Sequence, residues 1–500
     1  MGHLTPELEK ARIEIEKMAR DYGLDFFETI FELITFDEMN QFAAFGGFPV
    51  RYPHWRFGME YESLSKGYEY GLSKIYEMVI NTDPCYAYLM EGNMFVDQKL
   101  VMAHVYGHCD FFKNNQWFAP TNRKMMDVMA NHATRIRRYI DRYGIEAVER
   151  FIDRCLSLEN LIDRYAPYSK SATKDLSVHE PELSTNLLKD ERPYMKDFLR
   201  PKAKKKSESQ DEGDEALVEK KKFPERPERD VLLFLLQNAP LEIWQQDVLS
   251  IIRDEAYYFV PQGMTKIMNE GWASFWHSKM MTQNILSDTE VVDYADHHSG
   301  TVAMNPQGFN PYKIGIELFR NIETRWDRGQ FGKVWTDCED LVEKKRWDKR
   351  TGLGRQKIFE VRRNYNDVTF IDEFLTEEFC VENKMFVYKF NKSTGRYEID
   401  TRDFPKIKKQ FLFHLTNFGQ PIIEVEDANF ENRGELLLRH VHEGVDMQPN
   451  FMAETMKNLQ SIWTRPVNVA TVMDGDEKIF KFDGKEYKEF TLKELPGGKA

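Results

Sequence analysis

The sequence predicts a mainly α protein, α+β overall, with a large helical core and a smaller α+β C-terminal domain. Three observations carry this. Apolar residues recur at helical spacing through most of the first 166 residues and again from about 231 to 335. After about residue 366 the pattern turns to short strand-like runs separated by Gly-containing turns. Between the helical blocks, residues 168–230 change character, and the run RPKAKKKSESQDEGDEALVEKKKFPERPERD within them almost lacks bulky apolar side chains, so they read as a charged, disordered insertion within one helical domain. The expected organisation is therefore 1–167 and 231–365 as two parts of a helical core, 168–230 as the insertion, and 366–500 as the C-terminal domain.

The first helix opens at Thr5-Pro6, an N-cap and N1 pair, and Leu8, Ala11, Ile15 and Met18 follow at helical spacing. Residues 38–60, rich in Gly, Pro and aromatics, read as an irregular loop that offers Arg51, His54, Trp55 and Arg56 as polar candidates. Helical patterns are expected over 62–112 and 121–166, then from 231, with Pro261 at a helix start. The stretch DYADHHSGTVAMNPQGFNPYKIG, with His297 and His298, reads as a turn-rich loop. In the C-terminal part, hairpins are expected around Ser393-Thr394-Gly395 and at Asp483-Gly484. Strands are expected at PIIEVED, ELLLRHVH and VNVATVMD, with a helix at 449–462.

The bulk composition narrows the function classes. The 500 residues are 41% hydrophobic and 30% charged, enough for a large core, and the net charge of −13 argues against a nucleic-acid surface. Five scattered cysteines point to a reducing compartment. The N-terminus has no apolar targeting region and no stretch reaches the ~18 apolar residues of a membrane span, so a cytosolic protein is expected.

Two stretches carry chemistry. HVYGHCDFF places His104 and His108 one helical turn apart, a spacing that lets two imidazoles hold one ion. NEGWASFWH places Glu270 and His277 seven residues apart, within ~20° of one helix face but ~10 Å apart along it. Two histidines on one helix and a glutamate on another form the ligand set of Glu-type zincins. His104, His108 and Glu270 are thus the expected ligands of a divalent metal, with zinc the expected ion although the sequence does not name it. Asp110, His132 and His277 are further ligand or proton-transfer candidates.

The zinc-peptidase signature H-E-x-x-H has its general base after the first histidine, and here that position is Val105. The base, if there is one, must come from elsewhere; Glu255, Glu317 and Glu323 are candidates, with Glu323–Arg320 as a structural ion pair the competing interpretation. His440 and His442 alternate on a strand with Leu436 and Leu438 and read as half-buried structural residues. Phosphate-loop, dinucleotide-fold, nucleophile-elbow and C-x-x-C motifs are absent, which removes support for those classes.

Five motifs in order, RYPHWRFGMEYE, HVYGHCDFF, NEGWASFWH, NPYKIGIELFRNIETRWDRGQFG and LQSIWTRPV, resemble the stage V sporulation protein R (SpoVR-like) family from about residue 10 to 475. The insertion is not expected to be general to it. The resemblance implies a cytoplasmic protein linked to spore cortex formation in spore formers and to stress responses elsewhere. It also implies two partners, a serine protein kinase with an AAA-type domain and a von Willebrand-like protein. It brings no reaction with it. Two functions stay open: a metal-dependent hydrolase of amidase or peptidase type, or a non-catalytic regulatory or scaffold protein whose polar cluster is structural.

Overall fold

The computed structural model describes residues 2–69, 77–169, 222–301 and 310–491; most of the expected disordered insertion, 170–221, lies outside the described residues. The first part runs α1 (Pro6–Asp21), β1 (Thr29–Ile34), α2 (Phe36–Ala44), α3 (Trp55–Glu69), β2 (Glu77–Ile80), β3 (Cys85–Met90), α4 (Phe95–Asn114), α5 (Met125–Tyr143) and α6 (Ile145–Leu156). It continues with α7 (Val231–Asn238), α8 (Ile243–Met264), α9 (Lys266–Met280), α10 (Val291–Thr301) and α11 (Pro311–Asp327). Then follow α12 (Gly332–Thr336), α13 (Leu341–Arg346), α14 (Gly354–Asn364), α15 (Asp367–Phe374), α16 (Glu377–Glu382), β4 (Val387–Asn391), β5 (Arg396–Thr401) and α17 (Phe404–Leu415). The chain ends in β6 (Ile422–Phe430), β7 (Glu435–Val441), α18 (Pro449–Trp463), β8 (Val467–Met473), β9 (Asp476–Phe482) and β10 (Tyr487–Thr491). The protein is mainly α with two substantial sheets. No described helix is long and apolar enough to cross a membrane.

The caps explain several of these boundaries. Thr5 accepts a hydrogen bond from the Leu8 amide at the start of α1, with Pro6 at N1 and Glu7 and Glu9 in the first turn. Thr35 and Glu38 form a capping box on α2, so the irregular loop expected at 38–60 shrinks to the segment between α2 and α3. Arg51 and His54 stay in that loop, while Trp55 and Arg56 begin α3.

Other expectations are corrected. Residues 62–112 do not form continuous helix: β1, β3 and β2 form a three-stranded sheet, β1 parallel and β2 antiparallel to β3, with Glu77 opposite Leu89. EMVI and CYAYLM are four and six residues long, too short for periodicity to separate strand from buried helix. Pro261 lies in the last turn of α8, and the break comes at Thr265, whose φ is −131°. The first amides of α9, those of Ile267 and Met268, donate to the Asp367 carboxylate at 2.8 and 2.9 Å. His297 and His298 lie in helix α10, not in a loop; residues 302–309 of the same stretch lie outside the described residues.

α4 is buried on all sides from Val96 to Phe112, between α1, α9, α14 and the small sheet. Its approach to α9 is limited by backbone: a Cβ on Gly107 would lie 2.7 Å from Ala273 Cα. α9 meets α11 the same way, since a Cβ on Gly271 would lie 2.4 Å from Gly315 Cα and one on Gly315 would lie 2.2 Å from the Ile267 carbonyl oxygen. α15 and α17 pack into this same core through Phe370, Phe374, Ile407 and Phe411. Strands β10-β9-β8-β7-β6 form a second sheet in that order, antiparallel except for the β7–β8 pair that α18 connects. Val425, Leu438 and Val467 of this sheet share a core with α6, α7 and α8. The expected strands and both hairpins are present; β4 and β5 form a separate two-stranded sheet.

A methyl group at Gly315 meets only backbone, which cannot rotate away. Gly315→Ala is therefore expected to destabilise the fold by about 2 kcal/mol or more, read as a lower urea midpoint at unchanged m-value. A neutral Gly315→Ala would show that the α9–α11 approach is not a constraint.

Candidate metal centre

The α4–α9 contact brings His104, His108 and Glu270 together, and β2 adds a residue that the sequence pattern did not reveal, Glu77. One donor atom from each of these four residues lies within 4.8 Å of all the others. His104 Nε2 is 3.2 Å from Glu77 Oε1 and 3.5 Å from Glu270 Oε2; His108 Nε2 is 3.7 and 3.6 Å from the same atoms. A tetrahedral site with metal–ligand bonds of ~2.0–2.1 Å has donors about 3.3 Å apart, so these four separations fit a zinc-sized ion. Glu77 Oε2, His104 Nε2 and Glu270 Oε2 are buried without a hydrogen-bond partner. Leaving such groups unsatisfied costs ~1–3 kcal/mol each, and a cation held among the facing atoms satisfies His104 Nε2 and Glu270 Oε2 directly.

The outer nitrogens of both imidazoles are held as metal-binding histidines require. His108 Nδ1 is 2.9 Å from Asn269 Oδ1, so it carries the proton and donates it. His104 Nδ1 is 2.8 Å from His277 Nδ1. Burial, reinforced by the neighbouring His104, His298 and Arg320, holds the His277 pKa well below its usual value, so its ring is neutral and its Nδ1 can accept. His277 Nε2 then faces His298 Nδ1 at 3.5 Å, and His298 stacks on Tyr294. Tyr312, at the start of α11, lies beside Glu270, and burial with the Glu270 charge raises its hydroxyl pKa. Burial lowers the His108 pKa, but the carboxylates of Glu77 and Glu270 outweigh it and raise the value to about 9. Glu270, despite a burial effect that raises its pKa, is held below the usual range by the two histidines.

The other candidates lie elsewhere. Glu255 Oε2 is 2.6 Å from Arg51 Nη2 and its Oε1 is 3.1 Å from His132 Nδ1, a buried group on α8, α5 and the α2–α3 loop. Glu323, eleven residues beyond Tyr312 and so ~16 Å along α11, takes both its oxygens to Lys279 Nζ at 2.8 Å. Arg320 pairs with Glu317 at 3.1 Å, not with Glu323. Asp110, two residues past His108 and thus on the far side of α4, accepts from Trp272 Nε1 and the Asp25 amide at 2.8 Å and lies 3.5 Å from Arg362. His54 is 3.2 Å from Asp153, and Arg56 is 3.6 Å from Glu159. The side chain of His297 lies outside the described residues. His440 is buried, with Nδ1 2.9 Å from Thr471 Oγ1, and His442 pairs with Asp446.

The family model for SpoVR like protein matches residues 3–420. The chain belongs to the SpoVR family. The model for the SpoVR-like C-terminal domain matches 421–474, the region that holds most of the five-stranded sheet. The uncharacterized protein YcgB of Escherichia coli (strain K12) is 28% identical over 479 residues, spanning 90% of this chain and 89% of that protein. No solved structure matches the chain.

With its pKa raised to about 9, His108 is protonated at pH 7 in the metal-free protein. The sign follows: its ionic contribution to stability is whole below its unfolded pKa of ~6.5 and is lost as pH rises through about 9. A metal must displace this proton. Zinc binding at pH 7 is expected to release at least one proton, measured by calorimetry in buffers of different ionisation enthalpy, with apparent affinity rising about tenfold per pH unit up to about pH 9. Asn269→Ala is expected to weaken zinc binding about 10–100-fold.

Proposed function

We propose that this SpoVR-family protein is a metal-dependent hydrolase of amide bonds, amidase or peptidase-like, with a zincin-like arrangement of zinc on His104, His108 and Glu270. The observation that carries the reading is the position of Glu77. The helix of H-x-x-x-H has Val105 where a peptidase has its base, and Glu77 brings a carboxylate 3.2 Å from His104 Nε2 from a strand on the other side of the site. Zinc bound there would polarise an amide carbonyl and acidify water. Glu77 then takes the proton from the attacking water and returns it to the leaving amine. His277 acts as a positioning residue, accepting the His104 Nδ1 proton and fixing that ring. Tyr312 orients Glu270 through its hydroxyl.

A second reading has one observation in its favour. Four protein donors complete a tetrahedral shell, and closed shells are structural. In that case the centre stiffens a regulatory or scaffold protein. The setting comes from the family resemblance: a cytoplasmic protein acting in spore cortex formation or stress response, with the serine protein kinase and the von Willebrand-like protein as partners.

Metal content and turnover of tag-free protein separate these readings. Zinc-replete wild type is expected to hold about one equivalent of metal and His104→Ala/His108→Ala none. Glu77→Gln is expected to keep the metal while amide hydrolysis falls ~10²–10⁴-fold. A metal-free wild type sinks both forms of the centre. Loss of metal from Glu77→Gln makes Glu77 a ligand and removes the hydrolase.

A further inference from the structure

A second cavity, of about 490 Å³, lies away from the metal centre between α3, α8, the segment after α6 and the turn after α17. Its volume is that of a small-molecule site. Phe57, Phe259 and Phe418 supply aromatic wall, and Arg51, Arg56, Arg164, Glu60, Glu159 and Glu255 supply charge. Most of that charge is matched internally. Arg51 offsets Glu255, whose other oxygen lies 3.1 Å from His132 Nδ1, and Arg56 faces Glu159. Glu60 is exposed to solvent.

Arg164 is the exception. It is 6% exposed, its Nη1 is buried without a hydrogen-bond partner, and no carboxylate among the described residues pairs with it. Burial, with the nearby Arg229 adding to it, pulls its pKa down only to about 10, so the guanidinium is charged at neutral pH. An unpaired buried cation is costly unless an anion arrives. The protein also spends strain here. Asn417 and Phe418 both have positive φ, 49° and 55°, which a bulky aromatic rarely adopts. The result is a Phe418 ring 3.6 Å below the Arg164 guanidinium carbon and packed on Gly263, where a Cβ would lie 2.5 Å from the ring. Strain that orients one aromatic against one unpaired arginine belongs to a binding site rather than to a core.

We infer that this cavity binds a small organic monocarboxylate with an aromatic or apolar body. The carboxylate pairs with Arg164, and the body lies against Phe57 and Phe259. The charge count of the lining selects the class: of its three arginines only Arg164 lacks a carboxylate partner, which matches a carboxylate, whereas a phosphate dianion would bring more negative charge than that one cation offsets. The site shares no residue with the metal centre, and the inference stands apart from the hydrolase reading.

The test uses the full-length protein and calorimetric titration with 4-phenylbutyrate, the neutral 4-phenylbutyramide and inorganic phosphate. The carboxylate is expected to bind saturably and at least about tenfold more tightly than the amide or phosphate. Arg164→Gln is expected to bring the carboxylate down to the amide's level while metal content stays at the wild-type value. Because the substitution removes an unpaired buried charge, its melting temperature should match or exceed that of the wild type. Arg164→Lys, which keeps charge but loses the guanidinium fork, should bind with intermediate strength. No carboxylate binding up to about 10 mM, well above the range of a formed site, overturns the inference. Equal binding of the amide or phosphate, or binding that survives in Arg164→Gln, does the same. An Arg164→Gln chain that melts well below wild type would make the arginine a structural group and also overturn it.

Discussion

The closeness of three helix backbones governs the rest of this molecule. Gly107 lets α4 approach α9, and Gly271 with Gly315 lets α9 approach α11 until backbone meets backbone. A side chain at any of these three glycines would push the helices apart and shift His104 and His108 relative to Glu270. The glycines lie within one helical turn of the functional side chains: Gly107 beside His108, Gly271 beside Glu270, Gly315 three residues from Tyr312. Packing and chemistry are therefore set by the same few residues.

Two groups of carboxylates show how neighbours decide a role. Glu255 has a guanidinium at 2.6 Å and an imidazole at 3.1 Å, so its charge is answered by protein. Glu77 and Glu270 meet imidazoles and the Tyr312 hydroxyl but no lysine or arginine, and His108 can carry one compensating proton. A dication with both histidines neutral balances the second group, and nothing comparable is needed by the first. Glu255 is buried, Glu77 and Glu270 are half-buried, and the supply of positive charge is what separates the two places.

This difference also marks what could be read from the sequence. The metal-ligand spacing of His104 and His108 was visible because it repeats a helical turn, and Glu270 because it shares an apolar helix face with His277. Glu77 was hidden. It sits at the start of a four-residue strand whose place depends on β3, and no local periodicity marks it. Glu255 and Glu323 were credible base candidates since a buried or helical glutamate gives no sign of its partner, and Arg51 and Lys279 are distant in the chain. The mainly helical core, the C-terminal strands and both hairpins followed from local patterning. The small sheet and the α10 helix did not, because short apolar runs and polar, glycine-bearing stretches fit more than one backbone.

The cap on α9 has a consequence for the order in which the protein is made. The first amides of this helix have their acceptor in Asp367, about a hundred residues further along the chain, and the helix also rests on Gly315. On the ribosome, Glu77, His104, His108 and Glu270 all emerge well before the groups that seat α9 against α4. A nascent chain thus carries all four donors before the helix that bears Glu270 has its N-terminal acceptor, which arrives only when synthesis has passed Asp367.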